Sequence, residues 1–270
     1  MHHKSQFRRT NRMDQTMIWT GIAAETWDLS GGDEPQWDHD FFRQVLEQNP
    51  GPALDIGCGT GRLLVRFLDY GLDVDGLELS PDMLEICRRK AEAKGFHPTL
   101  YLQDMRMMAL PKKYRTIFIP CGSFMLVLDY EEAKQTMRRF YEHLEPGGIL
   151  ALTLFDMFGM EPDIKIGEWW SRWRNPLPDG TENEVLFYTD AIDRVEQVYR
   201  GKRHYKIWQG EQLLREDFLE DTFRWYSPNE IRLLLELSGF ELLSTRGNNL
   251  DEAVNETHWG MAVVARKKEG

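Results

Sequence analysis

Three glycines, Gly57, Gly59 and Gly61, fall within five positions directly after an apolar run in "ALDIGCGTGRLL", residues 53–64. Glycine weakens strands and helices alike, so its use at a strand-to-helix turn points to a backbone that a ligand approaches closely. The spacing is G-x-G-x-G. The dinucleotide fingerprint would need a further glycine where Arg62 stands, and the G-K-[ST] of a phosphate loop is absent. Two acidic residues follow at the ends of later apolar runs. Glu78, 23 residues after Asp55, stands where a carboxylate accepts both hydroxyls of a ribose. Asp104 is placed to accept from an exocyclic amine. A glycine turn, a ribose carboxylate and a base-edge carboxylate describe a nucleoside site without a phosphate.

Positioning these groups requires alternating strands and helices, and the pattern supplies them from about residue 38. "DHDFFRQVLEQN" reads as a helix with Phe41, Phe42, Val45 and Leu46 on one face. "PALDIG", "DVDGLEL", "TLYLQD", "YRTIFIP" and "GGILALTLF" read as strands. Between them, "GRLLVRFLDYG" reads as a helix, Ser80 and Pro81 open another, and Asp129 and Glu132 a third that runs to about Glu145. This rhythm predicts βαβ units, a parallel sheet and helices on both faces. It breaks between residues 156 and 226, where period-two alternation with turns at Asp193, Gly201 and Gly210 predicts three or four antiparallel strands. Ser227 and Glu230 form a capping box for a last helix closed by Gly239, and "FELLSTR" and "HWGMAVVARK" make a final antiparallel pair.

At this point the sequence resembles the class I S-adenosylmethionine-dependent methyltransferases. "LDIGCGTGR", "LELSPDMLEICRRK", "LYLQDM", "YRTIFIP" and "LEPGGILAL" match in order and spacing over residues 38–155, and "WYSPNEIRLLLELSGF" fits as well. The resemblance implies a Rossmann-like, doubly wound α/β sheet of seven strands, mostly parallel, with a last antiparallel hairpin. The antiparallel β insertion is an addition to it. It implies S-adenosylmethionine as cofactor, with Asp55, Gly57 and Gly59 holding the methionine part, Glu78 the ribose, and Asp104 and the Met105 amide the adenine. Cys58, Gly61, Leu79, Pro120 and Cys121 complete the expected cofactor site, and "PCGSF" would border the methyl group.

The division expected is an N-terminal arm or lid over 1–37, a cofactor-binding core over 38–155 and 227–270, and the insertion over 156–226 as substrate lid or dimer face. The insertion holds Trp169, Trp170, Trp173, Trp208 and Trp225, a set that could cage a small amine or pack the sheet onto the core. Trp27 could close the same pocket from the other side. His204, Tyr199 and Tyr205 are the candidates for a general base. The acceptor expected is a small molecule methylated on nitrogen or oxygen by direct transfer. Pro120-Cys121 also matches the Pro-Cys nucleophile of cytosine-C5 methyltransferases, an alternative alongside a cofactor-binding protein without chemistry.

The formal net charge is −11, which disfavours nucleic acid as a partner. Three cysteines without metal-ligand spacing make neither a disulfide framework nor a zinc site and fit a reducing cytoplasm. "MHHKSQFRRTNRMDQT" lacks the apolar stretch of a secretory signal, and no run is long enough to span a membrane. A homodimer through the insertion is a further expectation.

Overall fold

A computed structural model describes residues 18–30, 36–155, 164–248 and 250–268. Residues 1–17 of the expected arm and 156–163 of the insertion lie outside these. Five apolar runs form the parallel strands β1 (Ala53–Ile56), β2 (Val74–Glu78), β3 (Leu100–Leu102), β4 (Tyr114–Ile119) and β5 (Leu144–Phe155). β10 (Phe240–Gly247) and β11 (Gly260–Lys267) close the sheet in the order β10-β11-β5-β4-β1-β2-β3, with β11 antiparallel to both neighbours. This is the expected seven-stranded, mostly parallel sheet.

Successive strand residues point to opposite faces, and each face meets its own helices. α2 (Trp37–Gln48), α3 (Leu64–Asp69) and α4 (Pro81–Ala93) bury Phe42, Phe67 and Cys87 against Ala53, Phe118 and Ala151. α5 (Tyr130–His143) and α6 (Pro228–Leu237) bury Phe140 and Leu234 against Leu54, Ile117 and Leu152 on the other. Caps set the helix starts: Ser80 Oγ accepts from Met83 N, and Asp129 Oδ1 from Glu132 N. At α6 only half of the expected capping box forms. Ser227 Oγ accepts from Glu230 N, but the Glu230 carboxylate turns to Arg224 at 2.8 Å. The charge-assisted bond wins over the return bond to the backbone.

The insertion is a four-stranded antiparallel sheet in the order β6 (Trp169–Pro176), β7 (Glu182–Asp193), β8 (Val198–Gln209) and β9 (Gln212–Arg224). The hairpin at Asp193 is set by its carboxylate, which accepts from Val195 N and Glu196 N. The turn expected at Gly201 is absent, because Gly201 lies inside β8 between Thr189 and Asp221. A Cβ there would sit 2.5 Å from Tyr188 O and 2.6 Å from Tyr199 Oη. The residue serves close approach beside the bulge at Thr189/Ala191 of β7, not chain reversal.

One short segment joins the two sheets. Trp19 O accepts from Ser80 Oγ, and Gly21 N donates to Asp82 Oδ2 at 2.8 Å, both at the start of α4. Ile22 and Ala23 of α1 (Ile22–Glu25) then pack on Val185, Phe187, Tyr205 and Ile207 of the second sheet. Glu25 pairs with Arg215 at 2.8 Å. The second sheet also enters the main core, through Tyr199 and Phe223. Among the described residues no helix is long and apolar enough to cross a membrane.

Candidate active site

The carboxyl ends of β1, β2 and β4 and the inner face of the second sheet enclose a cavity of about 440 Å³. Asp55, Gly57, Cys58, Gly59, Glu78, Leu79, Asp104, Met105, Pro120 and Cys121 all line it. Open α/β sheets bind ligands at this edge, where the strand order reverses.

Asp55 is 1% exposed, and neither carboxylate oxygen has a hydrogen-bond partner. Burial holds its carboxyl well above the usual range, against the pull of Arg62, while Glu78 and Asp38 push it the same way. An orphaned buried carboxylate facing a cavity calls for a cationic or hydrogen-bond-donating ligand. Next to it Gly57 has φ +72°, and a Cβ there would meet Ser123 Oγ at 2.6 Å. Gly61 departs from the expectation. It does not line the cavity, and its missing Cβ makes room for Cys87 Sγ, 2.7 Å from that point. It fits the loop onto α4. The Cys58 thiol is likewise turned to Cys87, and that bond together with burial pushes it up.

Glu78 is held by three backbone donors. Leu79 N and Ser80 N reach Oε1 at 2.8 Å each, and Gly59 N reaches Oε2 at 3.0 Å. A carboxylate has about four acceptor positions, so one remains, on Oε2. Bidentate capture of both ribose hydroxyls therefore requires Glu78 to give up backbone bonds. Burial raises its pKa, opposed by those three bonds. Asp104 is also committed. Both its oxygens accept from Arg106, with Nη2 at 2.6 Å and the backbone N at 2.8 Å, and this lowers its pKa against a desolvation that raises it.

Arg62, which takes the place of a dinucleotide glycine, reaches back to α2. Its guanidinium grips Asp38 at 2.8 and 2.6 Å, both side chains being buried, and touches Cys121 Sγ at 3.1 Å. The Cys121 backbone has φ +52° and the residue opens onto the cavity. The residue is exposed to that space, yet the protein atoms packed around the thiol desolvate it enough to push it up, against the opposing pull of Arg62. A nucleophilic thiol needs the opposite shift.

The candidate bases separate by strand parity. Tyr199 lines the cavity, stacked on Phe223 at 4.8 Å and bonded to Thr189 Oγ1 at 3.1 Å. Tyr205 lies on the same face but is buried under α1, outside the cavity lining. His204 is on the opposite face, stacked on Phe218 at 3.9 Å and paired with Glu216 at 2.8 Å; it does not reach the site. Of the insertion tryptophans with described side chains, Trp170 lines the cavity, and Trp169 packs on Tyr188 on the outer face. Trp225 packs against the main core, and Trp208 donates to Glu184. Trp27 lines the cavity edge-on to Trp19 at 5.5 Å.

Sequence reasoning missed Asp38, Trp19, Arg203 and Asp221. Arg203 Nε and Nη2 bind Asp221 at 2.9 and 3.0 Å in the cavity wall. The parity of Arg203 with Tyr199 was the available signal.

Residues 53–148 match the family model described as "Methyltransferase domain". A Geobacillus sp. (strain WCH70) protein that bears a methyltransferase name is 29% identical over 240 residues, covering 84% of this chain and 88% of that one. The chain carries a methyltransferase domain and resembles the class I S-adenosylmethionine-dependent methyltransferases in its fold. A Streptomyces venezuelae dTDP-3-amino-3,4,6-trideoxy-alpha-D-glucopyranose N,N-dimethyltransferase is 36% identical to this methyltransferase over 99 residues, 37% of this chain and 40% of the relative. The fold is shared with a Clostridium acetobutylicum ATCC 824 S-adenosylmethionine-dependent methyltransferase, at a TM-score of 0.76 and 17% identity over 91% of this chain and 97% of that one. The orphaned Asp55 carboxylate and the open, positive-φ Gly59 fit a ligand such as S-adenosylmethionine, which brings an ammonium and would lie against the loop.

Proposed function

We propose that this methyltransferase alkylates a nitrogen or oxygen of a small molecule held between the strand-end edge and the inner face of β7–β9. The observation that carries the reading is the continuity of one cavity from Asp55 and Glu78 to Tyr199, Arg203 and Phe223. Bound S-adenosylmethionine supplies an electrophilic methyl group on a sulfonium. The chain's own part is binding, alignment and exclusion of water. Asp55 pairs the methionine ammonium, with Gly57, Cys58 and Gly59 giving the backbone surface. Glu78 and Leu79 hold the ribose. Met105 borders the adenine, and Asp104 reads its amine only where Arg106 yields. Pro120 and Cys121 flank the transfer point. Residues 38–155 and 227–270 form the cofactor-binding unit, the described strands within 156–226 the roof, and the described stretch 18–30 a second cover.

Tyr199 is the polar group of the roof best placed to orient an acceptor hydroxyl or amine. Burial raises its pKa, so it acts as a hydrogen-bonding phenol and not as a phenolate base. The test is calorimetry with S-adenosylmethionine, S-adenosylhomocysteine and NAD, followed by mass spectrometry of a metabolite extract incubated with enzyme and isotopically labelled methyl donor. Binding of both adenosyl ligands, no binding of NAD and a labelled small product are expected. NAD binding at comparable affinity with none for the methyl donor overturns the reading.

A further inference from the structure

The cavity is lined by three arginines, and each is already matched to a carboxylate. Arg62 is forked onto Asp38, Arg106 onto Asp104, and Arg203 onto Asp221. Among the described residues no lysine or histidine lines it. Asp55 and Glu78 add two carboxylates with no cationic side chain bonded to them. With Asp55 and Glu78 taken up by the cofactor, the described part of the acceptor wall offers no uncommitted cation. An acceptor bearing phosphate or carboxylate would be desolvated here without the charge-assisted partner such groups need.

The roof end of the cavity offers flat surfaces instead. The Arg203 guanidinium lies over the Phe187 ring at 5.0 Å and the Trp19 ring at 5.9 Å, so the cation is held by aromatic faces as well as by its carboxylate. Tyr199 and Phe223 lie parallel, 17° apart, on the same sheet face. The Tyr199 and Thr189 hydroxyls supply the local polar contact.

Building on the methyltransferase reading above, we propose that the acceptor is a flat-ringed amine or alcohol without an anionic group. The Arg203–Asp221 pair is the element that sets this preference, because Asp221 cancels the cation that the described part of the roof turns to the cavity. This separates the chain from its Streptomyces venezuelae relative, whose name specifies a dTDP-linked amino sugar.

The experiment uses the full chain saturated with S-adenosylhomocysteine and three probes sharing one ring: tryptamine, tryptophol and indole-3-acetate. Dissociation constants are measured by calorimetry. The expected result is that tryptamine and tryptophol bind at least tenfold more tightly than indole-3-acetate. Asp221→Asn, which frees Arg203, should tighten indole-3-acetate about tenfold while leaving S-adenosylhomocysteine binding unchanged. Indole-3-acetate binding as tightly as tryptamine, no binding by any probe, or an unchanged probe ratio in a folded Asp221→Asn variant overturns the proposal. The wild-type ratio decides it even if the variant fails to fold. Loss of S-adenosylhomocysteine binding by the wild type would instead remove the functional reading; intact binding with the wrong probe order removes only the selectivity.

Discussion

Glu78 joins the glycine loop to the start of α4 through three backbone N–H groups, so its replacement acts on structure and ligand together. Glu78→Ala should cost roughly 1.5–3 kcal/mol in S-adenosylhomocysteine affinity, the scale for hydrogen bonds to a charged group, and should also lower the melting temperature. Calorimetry and a thermal melt of the same preparation check both. Asp55 gives a pH signature. Its folded pKa is raised, so the unliganded protein gains relative stability from this group in acid and loses it as pH rises through the folded pKa. Pairing an ammonium needs the ionised form. Cofactor affinity should therefore fall as pH drops from neutrality, before the ordinary carboxylate range near 4 is reached. Asp55→Asn should bind more weakly at neutral pH and lose most of that dependence in calorimetry. Cys121→Ser should retain methyl transfer within a few-fold in a radiolabel assay, since the raised thiol serves as wall; complete loss of turnover with cofactor binding kept would restore the nucleophile.

At the scale of elements, β8 shows what the sequence discloses and what it withholds. Period-two alternation places Tyr199, Gly201, Arg203 and Tyr205 on one face and His204 on the other whatever the sheet packs against. Which face turns inward is decided by α1 and the main core, contacts made far away in the chain. The strands, caps and glycine loop of residues 53–155 were legible because local hydrogen-bonding chemistry and apolar runs dictate them. Asp104 and Glu78 were also found, but not their occupancy: the Arg106 fork and the three N–H donors depend on side-chain and loop geometry that spacing does not encode. Gly201 misled because glycine marks both turns and close approaches. Gly201→Ala should destabilise the fold by about 1–3 kcal/mol through overpacking and displace Tyr199, raising the acceptor KM while the cofactor dissociation constant stays near its wild-type value. Denaturation and steady-state kinetics measure the two effects.

For the whole molecule, Tyr199 and Phe223 share one core with Phe140 and Leu234 across the two sheets. The sheets should therefore unfold together, in one calorimetric transition, and cofactor at a hundred times its dissociation constant should add about 2.7 kcal/mol to the stability of the whole. Two resolved transitions would show the roof to be independent. Replacing residues 156–226 by a short linker should abolish methylation, and because it removes Tyr199 and Phe223 from that core it should also lower the melting temperature. The segment from Trp19 to Glu25, fastened to α4 at Ser80 and Asp82 and to β9 at Arg215, covers the strand-end edge and the roof at once. Its consequence is kinetic. The methyl donor held against the strand ends and the acceptor under the roof share one cavity beneath this common fastening. Turnover should be compulsorily ordered, with the methyl donor first on and its thioether product last off. In product-inhibition plots S-adenosylhomocysteine should compete with the donor and act noncompetitively toward the acceptor.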